Sequence, residues 1–159
     1  MRVAIIHDSV FGNTTIVAEA IARSARQLGE VTLVSVRDAG ALDPGAFDLL
    51  LIGSPTRGFA PTPAIAEFTA GLPTGTIRAA AFDTRLDPDH IQPAPLRWVI
   101  QVGGYAANRI ADTLREKGYN VLGPNGDFLV EGTEGPLKAG EIERAEAWLK
   151  QIAGSASSD

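Results

Sequence analysis

The sequence contains no cysteine, which removes disulfide frameworks, thiolate zinc sites, iron–sulfur clusters and cysteine nucleophiles together. It has only two histidines, His7 and His90, too few for a histidine-rich metal centre. It lacks any basic run, and its net charge of −5 opposes binding to a phosphate backbone, so nucleic acid is not expected as a partner. Eleven of the fourteen basic residues are Arg, which reads as compositional bias and not as a binding signal. Long apolar runs are missing too. Residues 3–6 are too few for a signal-peptide core or a membrane span, so a cytoplasmic protein with no membrane partner is expected. What is left is a globular composition, 45% hydrophobic and 21% charged over 159 residues. That length makes one domain, able to bury roughly 70% of its unfolded surface without a metal or a disulfide.

Short apolar runs at residues 3–6, 31–36, 47–52 and 77–82 have strand length. A fifth covers 119–122, with 128–130 as its continuation after the Gly-Pro-Asn-Gly turn. Near-continuous apolar strands suit a parallel sheet covered on both faces. Helical periodicity lies between them, over 14–28 (stopped by Gly29), from Thr62-Pro63 to Gly71, over 105–117 (ended by Gly118), and over 141–152. The alternation predicts a doubly wound α/β fold: five parallel strands in the order 2-1-3-4-5, with helices on both faces. One domain over residues 1–153 and a loose polar tail over 154–159 are expected. Pro88, Pro93 and Pro95 make residues 86–96 a long loop or lid, and residues 97–102 read either as a helical turn or as an extended piece.

This fold places its ligand crevice at the carboxyl ends of strands 1 and 3. Three segments leave that edge. In the first, Ser9, Val10, Phe11, Gly12, Asn13 and Thr14 follow a strand and open a helix. Gly12 permits close approach, short hydroxyl and amide side chains donate, and the helix start adds free N–H groups and partial positive charge. It forms a phosphate nest without Lys or Arg, and equally well a plain capped helix start. The segment has neither the Gly-Lys-Ser/Thr ending of an NTPase loop nor a dinucleotide Gly-x-Gly-x-x-Gly fingerprint.

Ser9-x-Phe11-Gly12-Asn13-Thr14 resembles the flavodoxin phosphate loop, with Phe11 in place of a common hydroxyl. Gly53-Ser54-Pro55-Thr56-Arg57-Gly58-Phe59 is similar to the family's Gly-x-Pro-Thr-Trp-Gly loop. Phe82-Asp83-Thr84-Arg85 and the stretch from Val130 to Leu137 resemble segments of bacterial and archaeal flavodoxin-domain proteins. The resemblance runs from strand 1 to the last helix. It implies noncovalent FMN, with its phosphate on Ser9 to Thr14. The flat ring would lie among Pro55, Thr56, Arg57, Gly58, Phe59, Thr84 and Arg85. It also implies a peptide flip at Gly58 that offers a carbonyl to the reduced flavin. Pro55, Phe59 and Leu86 can supply apolar walls.

Two departures from the pattern carry expectations. Arg57 stands where a stacking Trp is common, and no Tyr follows Thr84 directly. With Arg85, Arg57 brings positive charge to the ring, which implies weaker FMN binding, a less negative potential, and a lower potential when Arg85 is replaced by Ala. The resemblance thus implies an electron carrier without catalytic residues, reduced by a separate reductase and passing electrons to a partner protein. Two alternatives stay open: a flavin-dependent NAD(P)H or quinone reductase, and a module that has lost flavin and serves in protein interaction. A response-regulator receiver is excluded, because Gly53-Ser54 stands where its phosphorylated Asp belongs. Asp83, Asp87 and Asp89 do not have calcium-loop spacing and read as turn residues. His7 reads as a structural histidine at a strand end, Trp148 as core, and Trp98 as a residue that could reach the ligand.

Overall fold

The structure, a computed structural model, describes residues 1–90 and 104–157, without the side chains of His90 and of residues 155–157. The expected lid beyond residue 90, the segment 97–102 and Trp98 lie outside the described residues.

Six strands and four α-helices are found among the described residues. In chain order they are β1 Arg2–His7, α1 Asn13–Ala25, β2 Glu30–Ser35, β3 Leu49–Pro55, α2 Pro63–Ala70, β4 Arg78–Leu86, α3 Ala106–Glu116, β5 Asn120–Val121, β6 Gly126–Val130 and α4 Glu141–Ser157. All pairings are parallel, in the order β2-β1-β3-β4-β5, which is the doubly wound order expected. β6 also pairs with β4, beyond β5, so β5 and β6 are two pieces of one interrupted fifth strand.

The apolar strands are buried on both faces because alternate side chains feed two cores. Val3, Ile5, Leu49, Leu51, Ala80 and Phe82 pack with Val17 and Ile21 of α1 and Trp148, Leu149 and Ile152 of α4. Ala4, Ile6, Leu50, Ile52, Ala79 and Ala81 pack with Ile65 of α2 and Ile110 and Leu114 of α3. Trp148 meets both Phe82 and Phe128 edge-on or tilted, and its ring N–H donates to the Pro124 carbonyl at 2.8 Å.

Helix boundaries follow local chemistry. Thr62 caps α2 by accepting from the Ile65 N–H, Pro63 occupies the first turn, and Gly71 follows the last residue. α1 ends at Ala25, three residues before the expected Leu28; residues 26–28 form a turn. Gly29 is required there for space, because a Cβ would stand 2.0 Å from the Met1 carbonyl oxygen. α4 continues to Ser157, past the expected end at Ile152.

Candidate functional site

β1, β3 and β4 end at one edge of the sheet, and the candidate residues gather there. Asp8 fixes the first segment. Its N–H donates to the Gly53 carbonyl at 3.1 Å, and its two carboxylate oxygens accept from the Ser9 N–H at 2.9 Å and the Thr62 hydroxyl at 2.6 Å. Ser9 Oγ accepts from the Gly12 N–H at 3.0 Å, so the loop closes on itself and the hydroxyl keeps its proton for donation. Gly12 sits at φ +97°, where a side chain is strained even though a Cβ would touch nothing. The N–H groups of Asn13, Thr14 and Thr15 then begin α1 with no protein acceptor among the described residues.

Thr14 and Thr84 share a buried hydroxyl–hydroxyl bond of 2.7 Å that ties this helix start to β4. The Asn13 amide donates to the Glu134 carbonyl at 3.1 Å, and Gly135 is excluded from carrying a Cβ because it would lie 2.7 Å from Asn13 Oδ1. Asn13 therefore anchors the loop after β6 to the first segment.

In the second segment, residues 53–55 belong to β3 instead of a loop, and the turn proper is Arg57-Gly58-Phe59-Ala60. Both central residues have positive φ, +55° and +68°, and Ala60 N–H donates to the Arg57 carbonyl at 3.1 Å, as in a type I′ turn. The Phe59 carbonyl accepts from Arg109 Nε at 2.7 Å. Arg57 lies over the Phe11 ring at 5.5 Å, across the mouth between the first two segments. No carboxylate among the described residues pairs with Arg57.

The third segment departs most from expectation. Residues 83–86 are strand, since β6 pairs with β4 from Phe82 to Leu86. Asp83 is wholly buried and grips Arg85 with both oxygens at 2.8 Å, while its Oδ2 also accepts the Ala107 N–H at 2.9 Å. Burial pushes the Asp83 carboxyl above its ordinary range, and the Arg85 guanidinium pulls it back down. Arg85 is thus not a free cation beside the site; its charge is compensated. Its guanidinium stacks 3.5 Å from the centre of the Tyr105 ring, just before α3. Asp87 is likewise occupied, by Lys138 at 2.9 Å, and no metal-binding cluster occurs among the described residues.

A crevice of about 340 Å³ opens between these segments. Of the thirteen candidate residues, eleven line it: Ser9, Val10, Phe11, Asn13 and Thr14; Pro55, Thr56, Arg57 and Gly58; Thr84 and Arg85. Gly12 and Phe59 are not among the lining residues; Gly12 shapes the loop of the first segment, and Phe59 stands in the tight turn at φ +68°. Leu86 also lines it, together with Val130 and Thr133, which sequence reasoning did not place at the site. Their signal was positional, since β6 ends at Val130 beside β4. The stack of Arg85 on Tyr105 was also missed; only the Asp-x-Arg spacing, which puts both side chains on one strand face, pointed toward part of it. His7 lies outside the crevice, buried, with Nδ1 unpartnered; burial lowers its pKa against a backbone bond to Val34 and the nearby carboxylates Asp8 and Glu19.

No protein-family model and no curated protein matches the sequence. Solved structures do match. A flavodoxin from the domain Archaea superposes with a TM-score of 0.76 at 19% identity, covering 99% of each chain. Oxidised flavodoxin 2 from Bacillus cereus gives 0.75 at 17% identity over 98% of this chain and 99% of that one. The rubredoxin oxygen:oxidoreductase of Desulfovibrio gigas gives 0.72 at 18% identity over 99% of this chain, which spans 36% of that longer protein. Together with the strand order, these likenesses show that the chain has the flavodoxin-like fold.

Proposed function

We propose that the crevice binds FMN noncovalently and that the protein is an electron carrier, reduced by a separate reductase and oxidised by a partner protein. The observation that carries this reading is the pairing of two unlike surfaces in one crevice. At one end are Ser9, Asn13 and Thr14, with the Ser9 hydroxyl and the N–H groups of a helix start that have no acceptor among the described residues. At the other are Pro55, Leu86 and Val130 with the flat guanidinium of Arg85. The donor set fits a dianionic phosphate, which neutral donors and the helix dipole hold without a buried ion pair. The apolar and planar set fits a flat ring. When bound, FMN supplies reversible electron chemistry that no amino-acid side chain provides.

The residues of the chain bind, orient and tune. Ser9, Asn13 and Thr14 would hold the phosphate, and the Thr14–Thr84 bond ties this loop to β4. Gly58, at the crest of its turn, is where backbone can approach the ring edge. Arg57 has no carboxylate partner among the described residues, so the expected rise in potential is assigned to it and not to Arg85, which Asp83 pairs.

A visible absorption spectrum of the purified protein, with and without added FMN, tests the reading. Flavin bands that shift on binding support it. A colourless protein that leaves micromolar FMN fluorescence unquenched defeats it. Bleaching by NADPH alone under anaerobic conditions moves the assignment to a reductase.

A further inference from the structure

We propose that Arg85, clamped in plane by Asp83 and backed by Tyr105, is a rigid stacking wall of the crevice, a composite surface that selects a flat heteroaromatic ring. This rests on reading the crevice as a flavin site and names what recognises the ring.

Three independent constraints fix the guanidinium. Asp83 and Arg85 are two residues apart on β4 and share one face of the strand, so their side chains lie side by side. Both carboxylate oxygens accept from Arg85 at 2.8 Å, through Nε and Nη2, which sets the plane of the fork. The Ala107 N–H holds the carboxylate from behind at 2.9 Å. Tyr105 then covers one face of the plane at 3.5 Å. Arg85 is among the residues that line the crevice, whereas Tyr105 and Asp83 are not; with one guanidinium face on the Tyr ring, the opposite face is the one proposed for the ligand. Its side chain is 14% exposed, so it is not wholly sealed by the protein, and Arg85 is one of the residues that line the crevice.

Such a wall has particular chemistry. A guanidinium face is weakly hydrated and stacks on π systems, so it is covered by a ring at little desolvation cost. Asp83 neutralises the net charge in the plane, leaving a flat surface that is polar at its edge and not across its face. Arg57, exposed and without a carboxylate partner among the described residues, has none of these restraints. Tyr105 acts through Arg85 and is a positioning residue, not a contact to the ligand.

The test titrates FMN and riboflavin, which carries the ring without the phosphate, against the protein by flavin fluorescence quenching. Tyr105→Leu and Arg85→Lys remove the backing ring and the planar fork respectively, the second keeping the charge on Asp83. Each is expected to weaken both flavins by the same factor, about 5- to 10-fold, the size of a partly desolvated cation–π contact. The ratio of FMN to riboflavin affinity then stays fixed and the visible band shift shrinks. Tyr105→Phe, which retains the ring, restores both. Wild-type protein that binds FMN and riboflavin while both variants bind equally well overturns the wall and leaves the flavin reading standing. A loss confined to FMN also overturns it, since the phosphate end would then be responsible. Wild-type protein that binds neither flavin overturns the functional reading and the wall with it.

Discussion

Replacing Arg85 by Ala strips a wholly buried carboxylate of its counter-ion, and the cost follows from the burial. Removing one partner of a buried ion pair costs about 3–5 kcal/mol, because the remaining charge is left desolvated. Here Asp83 keeps one bond from Ala107 N–H and Arg85 retains 14% exposure, which places the loss near the lower end, about 3 kcal/mol. For a domain of this size that lowers the melting temperature by roughly 6–12 °C. The loss depends on pH, and its sign is fixed. Burial already raises the Asp83 pKa in the folded state, and the guanidinium is the main influence holding it down. In the variant it rises further. Between the unfolded carboxyl value, about 3.9, and the raised folded value, the folded state binds more protons than the unfolded one, so stability falls as pH rises. The gap between wild type and variant is therefore widest at the alkaline end, above the variant's raised carboxyl value, and narrows as pH falls toward the unfolded value. Urea unfolding across that range measures it. Adding Asp83→Asn to the variant removes the stranded charge, keeps an acceptor for Ala107 N–H, and recovers stability at the alkaline end. A gap that stays constant across the pH range, or a double variant no more stable than the single one, refutes the argument.

Arg57→Gln removes the uncompensated cation and makes the potential of bound flavin more negative by on the order of 1 kcal/mol per electron, the solvent-screened value for near charges; an unchanged redox titration counts against it. Thr14→Val leaves the buried Thr84 hydroxyl without its 2.7 Å partner and costs about 1–3 kcal/mol in chemical denaturation, whereas the double change to Val at both positions costs less. Gly53→Ala puts a Cβ 2.1 Å from the Phe82 ring, so circular dichroism melting shows a loss of about 1–3 kcal/mol or failure to fold. Because burial lowers the His7 pKa, the unfolded chain takes up its proton first as pH falls below about 6.5, and stability declines from there; His7→Gln flattens that part of the pH profile.

The layout of the fold was legible because burial on both faces writes itself as continuous Val, Ile, Leu and Ala, and because Thr62-Pro63, Gly71 and Gly118 punctuate the helices. The strand ends were not. Hydrophobic pattern stops at Phe82, yet β4 runs to Leu86, since Asp83 is buried by satisfying its charge and Thr84 by sharing a hydroxyl bond. A polar residue whose partner is two positions away on the same strand looks like a loop residue until the pair is seen. The same blindness gave Arg85 a free charge. It also left Tyr105 unconsidered, because the ring that stacks on Arg85 does not follow Thr84 directly but stands at the start of a helix about twenty residues later. Phe59 suited a wall by its side chain, and it stands in a turn with two positive φ values, outside the residues that line the crevice.

These differences alter the electrostatics expected of the site. With both arginines free, the crevice would carry two positive charges, and FMN binding and potential would shift together. With Arg85 matched by Asp83, the proposed ring end would be a neutral plane, and among the described residues the cation left without a carboxylate at the mouth is Arg57, over Phe11. On the proposed reading, affinity and potential would be set by separate residues: the plane by β4 and the start of α3, the charge by the turn after β3. Separation of this kind has a physical basis in the fold. The plane depends on a buried pair that moves only if the core does, whereas Arg57 hangs on an exposed turn and is screened by solvent. Salt should therefore weaken the effect of Arg57 on the potential while leaving the stacking contribution of Arg85 in place.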